Sequence, residues 1–113
     1  MDRNDYEIKK AYHLLKLFNK LLLILSREDT GEISVAIKII KNSIDILTTS
    51  LNTNQKNIRK TLTEVRLFYK SLYPPHGGLS DFFIWRDDFD ERVKVNQSLE
   101  SVQDEIWRLL ELI

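Results

Sequence analysis

Three groups of side chains in this 113-residue chain are of types that can do chemistry, and each is concentrated in a different place. His13 stands in "AYHLLKLF" with Lys16 three residues on. An imidazole held on a helix can accept a phosphoryl group while a neighbouring ammonium offsets the charge on its oxygens. Asp81, Asp87, Asp88, Asp90 and Glu91, with His76 just upstream, form an acidic run of the kind that attracts hard cations. Lys56, Arg59, Lys60, Arg66 and Lys70 form a basic stretch, most of which can share one helix face and meet phosphates.

Each group also has a simpler account. The few residues around His13 resemble the phosphoacceptor region of histidine-phosphotransfer domains, which would imply a phosphorelay bundle with His13 as acceptor. The glycine those domains carry after the lysine is Leu17 here, and the residue before the histidine is the bulky Tyr12, so a boundary histidine is the plainer reading. The acids lack the EF-hand pattern, no H-x-x-x-H spacing exists, and a capped, solvated helix start accounts for them. No metal is expected. The bases fit a solvated face opposite an apolar seam, and with zero net charge nucleic acid is not an expected partner. There is no serine-histidine-carboxylate set and no phosphate-binding glycine loop, so neither catalysis nor a cofactor is expected.

The elements that must position these groups are helices. Ile8, Ala11, Leu15, Phe18, Leu22 and Leu25 make one apolar stripe, and Leu14, Leu17, Leu21 and Ile24 make a second beside it. A helix apolar over so much of its circumference is central or touches two neighbours. The spacing predicts helices over about 4–26, 32–50, 54–72 and 88–112. The second carries Ile33, Ile37, Ile40, Ile44, Leu47 and Leu51, the third Ile58, Leu62, Val65, Tyr69 and Leu72, and the fourth Val95, Leu99, Val102, Ile106, Leu109 and Ile113. Asp29 with Glu32, Asn52 with Gln55, and Asp88 with Glu91 have capping-box spacing. "TTSLNTNQKN" favours a turn between the second and third helices; the alternative is one unbroken helix through 32–72. Short connections favour a compact antiparallel four-helix bundle, all-α, as a single domain over 1–113.

The connection "YPPHGGLSDFFIWRDD", Tyr73 to Asp88, holds both prolines and two of the three glycines. Two successive prolines stop the third helix near Leu72. Gly77 and Gly78 then supply a turn, and Ser80 is placed to cap a short helical turn over about 81–86, with Leu79 and Ile84 at staple spacing. One turn cannot bury Phe82, Phe83, Ile84 and Trp85 together. Two should reach the core, and the others should lie partly exposed or cover the loop; the run either plugs the open end of the bundle or presents an aromatic patch with an acidic rim.

Composition bounds the rest. An apolar share of 42% in periodic arrangement argues against disorder, and five consecutive apolar residues from Leu21 are too few to span a bilayer. The amino-terminal residues lack signal-peptide character, and the absence of cysteine fits a reducing cytoplasm. The abundance of Ile, Lys and Asn suggests an AT-rich bacterial genome. Residues 1–80 carry a net charge of +5 and residues 81–113 of −5, so the two parts attract each other or present an acidic face to a basic partner.

The expectation is a non-catalytic protein-binding module, most concretely an immunity- or antitoxin-type protein that neutralises a protein partner, basic or a toxin. It resembles bacteriocin immunity proteins only as a small helical bundle. The expected contact residues are Tyr73, His76, Phe82, Phe83, Trp85, Asp87, Asp88 and Glu91. A homodimer that buries one stripe of the first helix is a further expectation, and so is a structural or regulatory homo-oligomer.

Overall fold

The computed structural model describes residues 3–28 and 31–112. Four helices follow in chain order: α1 (Arg3–Arg27), α2 (Ser34–Thr53), α3 (Ile58–Ser71) and α4 (Phe89–Leu109), with single 3-10 turns at Gln55–Asn57 and Gly78–Ser80. They form an all-α four-helix bundle measuring 48 × 25 × 24 Å. Glu7 facing Arg59, and Phe18 facing Tyr69, put α1 and α3 in parallel; Lys10 facing Glu111, and His13 facing Glu105, put α4 antiparallel to α1.

The double stripe makes α1 the central helix. Ala11, Leu14, Leu17, Phe18, Leu21 and Leu25 are buried, Ile8, Leu15, Leu22 and Ile24 pack around them, and α1 touches each of the other three helices. A single seam suffices for the others, because each turns only one face inward. Ile33, Ile37, Ile40, Leu47 and Leu51 of the second segment are buried, as are Ile58, Val65 and Tyr69 of α3 and Leu99, Val102 and Ile106 of α4. Between α3 and α4 the space is filled by rings: Tyr69 packs edge-on against Phe18, Tyr73 and Trp107, with centroids 5.8, 5.1 and 5.1 Å apart.

The helix ends differ in detail from the spacing rules. The break after α2 falls at Asn54, so the unbroken helix does not form; Gln55 donates its amide back to the Leu51 carbonyl, 3.0 Å away, instead of capping α3 with Asn52. Three residues of 3-10 turn precede α3, which starts at Ile58 rather than 54. α2 begins at Ser34 without a side-chain cap; the proposed cap Asp29 lies outside the described residues. α4 starts as its acids dictate, with the Asp88 carboxylate accepting the Glu91 N–H at 2.9 Å. It ends at Leu109 because Glu111 takes a left-handed conformation (φ 58°) and closes a Schellman motif, with Leu112 N–H on the Trp107 carbonyl and Glu111 N–H on that of Arg108. Arg66 of α3 donates to the remaining Leu110 and Glu111 carbonyls. Ile113 of the fourth seam lies outside the described residues.

One disparity of length shapes the site. α3 has 14 residues against 25, 20 and 21 in the others, so it is about 16 Å shorter than α1. The connection from Leu72 to Asp88 must complete the corner of the bundle that α3 leaves open.

Candidate functional site

The connection begins with a closed turn. Leu72 ends α3, and its carbonyl accepts the Leu79 N–H at 2.8 Å, which draws the intervening residues into a tight loop. Gly77 (φ 80°, ψ −166°) and Gly78 (φ 57°) occupy backbone regions that side chains resist. A Cβ on Gly78 would also sit 2.7 Å from the Leu72 oxygen and 2.9 Å from Pro74 Cδ. Ser80 and Asp81 brace this loop: the Ser80 hydroxyl donates to the Pro74 carbonyl at 2.6 Å, and the Asp81 carboxylate accepts the Gly77 N–H at 2.6 Å. Both groups are therefore used backwards along the chain. The expected helical turn over 81–86 does not form; its place is taken by the 3-10 turn at Gly78–Ser80 and a non-helical segment from Phe82 to Arg86.

That segment is held by α4. The Ile84 N–H donates to Asn96 Oδ1 at 3.0 Å, and Asn96 Nδ2 donates to the Ile84 carbonyl at 2.8 Å and to the Arg92 carbonyl at 2.9 Å. One side-chain amide thus serves Ile84 as a neighbouring strand would, satisfying donor and acceptor on the same side. Arg92 adds a bond from Nη1 to the Arg86 carbonyl. The segment accordingly runs beside the first two turns of α4, and its side chains alternate. Ile84 is 1% exposed and Phe82 half-buried, whereas Phe83 is 58% and Trp85 63% exposed. Period-two alternation resolves the packing problem that one helical turn could not.

The outward side chains meet others from α4. Phe89, 64% exposed, lies on the same helix as Arg92, whose guanidinium carbon is 4.2 Å from the centre of the Trp85 ring and 5.4 Å from that of Phe89. Stacking of this kind fixes two rings that would otherwise move separately. Val93 extends the surface along α4. Asp87 accepts the Trp85 indole N–H at 3.3 Å. Arg86 forks onto both oxygens of the Glu28 carboxylate near the end of α1, with the Nη1–Oε2 contact at 3.1 Å. The hydrogen bond from Arg86 holds the Glu28 carboxyl below its ordinary pKa, and the same bond raises that of Arg86. Side chains of α4 and Glu28 at the end of α1 thus pin one short segment.

Of the expected contact residues, Phe83, Trp85, Asp87, Asp88 and Glu91 surround this patch, and His76 lies exposed on the preceding turn. Tyr73 and Phe82 turn inward. The Tyr73 hydroxyl is 2.7 Å from that of Tyr69, which in turn donates to the Gln103 carbonyl at 3.0 Å, and the Tyr73 ring packs on Trp107 at 4.8 Å. Burial pushes the Tyr73 hydroxyl up to about 12, and burial with the neighbouring Tyr73 raises Tyr69 still further. Phe89, Arg92 and Asn96 complete the patch and were absent from the expected set. Their spacing on α4, with Val93, was the available signal: it marks a second face beside the Val95–Leu99 seam.

The other chemical candidates are occupied. His13 Nε2 lies 3.0 Å from a Glu105 oxygen, so its neighbour is a carboxylate rather than the cations a phosphoryl group needs. A cleft of about 360 Å³ between α1, α3 and the end of α4 is rich in cations, including Arg3, Lys10, Arg59 and Arg66. Arg3 and Arg59 face Glu7, Lys10 faces Glu111, and Arg66 caps α4. Among the described residues, no group of three metal-ligating side chains is placed to hold an ion, and no helix is long and apolar enough to cross a membrane. Comparison of the chain with protein-family models, curated proteins and solved structures finds no match.

Proposed function

We propose that this protein is a non-catalytic binding module that engages another protein through the surface of Phe83, Trp85 and Phe89, as an immunity- or antitoxin-type protein does when it occludes its target. The observation that carries this reading is the exposure of three rings: Phe83 and Trp85, at 58% and 63%, on a segment fastened to α4 and to Glu28 at the end of α1 by side-chain bonds, and Phe89, at 64%, on the first turn of α4. Exposed apolar surface of this size on a flexible loop would cost ordering entropy on binding; here that ordering is already present. Aromatic anchors with a charged rim are the features that dominate interface energetics. Leaving such rings in water has no benefit to the isolated fold, because Phe82 and Ile84 already fill the core from the same segment.

The test is co-purification from native cells of the wild type and of the Trp85→Ala/Phe89→Ala double variant. The partner is expected to be lost while helix content and melting temperature stay within a few degrees of wild type. Retention of the partner by the variant would place the contact elsewhere. A melting temperature lowered by about 10 °C or more would mark the rings as a structural cover instead.

A further inference from the structure

We infer that the partner presents a basic segment, and that an arginine of that segment stacks on the open face of Trp85; this rests on the docking surface proposed above. Over residues 81–93 there are five carboxylates, Asp81, Asp87, Asp88, Asp90 and Glu91, against two guanidiniums. Neither guanidinium projects freely: Arg86 is forked onto Glu28, and Arg92 lies over Trp85 with Nη1 on the Arg86 carbonyl. The rim that a partner meets is therefore negative, and it complements a cationic segment. The recognition mode is already displayed within the molecule. Arg92 covers one face of the indole at 4.2 Å, and with Trp85 63% exposed the other face is open to solvent. A planar, weakly hydrated guanidinium suits that face better than an ammonium, and its remaining N–H groups can reach the carboxylates beside it. Asp87, held on the indole N–H at 3.3 Å, stands at the edge of the same ring.

The experiment titrates fluorescein-labelled octa-arginine, octa-lysine and octa-glutamate with the intact protein at low salt and reads anisotropy. Octa-arginine is expected to bind, about threefold or more tightly than octa-lysine, with octa-glutamate showing nothing. Trp85→Ala should weaken octa-arginine binding by at least about fivefold, and Trp85→Phe should retain most of it. Neutralising the rim with Asp87→Asn, Asp90→Asn and Glu91→Gln should weaken all cationic binding, as should added salt, and leaves the rings in place should Trp85→Ala fold poorly. Equal affinity for octa-lysine, unaltered binding by Trp85→Ala with intact helix content, or no binding of octa-arginine at low salt would each overturn the inference. If octa-arginine fails while Trp85→Ala/Phe89→Ala still loses the native partner, the inference falls and the docking surface stands. A native partner held equally by wild type and double variant overturns the docking surface itself.

Discussion

At the residue scale the site depends on one amide. Asn96 makes three bonds, two to Ile84 and one to the Arg92 carbonyl; an ionised carboxylate has no donor and a hydroxyl only one, so neither can replace an amide that donates twice and accepts once. Asn96→Ala leaves the N–H and carbonyl of a buried residue without their partner. It should cost about 2 kcal/mol in urea denaturation and should also release the segment, so that patch-dependent binding weakens more than for a surface substitution of equal cost. The tyrosine pair gives a second prediction. The folded-state pKa of Tyr73 is raised to about 12 and that of Tyr69 is raised beyond it, against an ordinary value of 10.0. The unfolded chain therefore loses these protons first as pH rises. Their stabilisation is fully present below pH 10 and declines as pH climbs through about 12. Urea denaturation across this range should show stability falling from about pH 10 upward, and Tyr73→Phe, costing about 1 kcal/mol at neutral pH, should make that fall shallower.

At the scale of elements, the helices were legible because their seams repeat over many residues, and errors accumulated where one or two side chains decide. The acids before α4 predicted its start, since Asp88 acts locally on the Glu91 N–H. Ser80 and Asp81 obeyed the same chemistry in the other direction, bonding back to Pro74 and Gly77, and this erased the expected turn over 81–86. Spacing cannot tell these directions apart, because a short polar side chain reaches backbone groups on either side. The glycine turn is the element on which the segment's path depends. Gly78→Ala meets both a left-handed backbone and a carbonyl 2.7 Å from the new Cβ, whereas Gly31 (φ 99°) has open space around it. Gly78→Ala should destabilise by about 3 kcal/mol and Gly31→Ala by about 1 kcal/mol, as read from denaturant midpoints.

At the scale of the whole molecule, the bundle separates what holds it together from what it shows to solvent. Phe18 is fully buried on α1 and packs on Tyr69 of α3, at the point where the central helix meets the ring cluster that joins α3 to α4. Phe18→Ala should cost about 4 kcal/mol, a large part of the stability of a domain this size, and far-UV circular dichroism should show the four helices lost together on heating. Trp85→Ala, in contrast, should scarcely move the transition. The two substitutions remove aromatic rings from one molecule, and burial alone separates their effects.

The sequence by itself determined the helical seams, the central position of α1, the end of α3 at the prolines and the cap of α4. Each follows from short-range periodicity or from groups within a few residues of one another, while the break at Asn54 between α2 and α3 came from the structure. The sequence also narrowed the site to the connection before α4, where one short turn could bury only two of four bulky residues. Only the tertiary structure decided which two. That choice depends on Asn96, twelve residues away from Ile84, which imposes a strand-like alternation on a segment whose cap and staple spacing pointed to a helical turn. The same contact brings Phe89 and Arg92 beside Trp85 and completes the surface. Tyr73 went inward for a comparable reason: the short α3 leaves a gap to α4 that only large rings can fill. Such outcomes are set by shape and bonding between distant parts of the chain, which spacing along it does not encode.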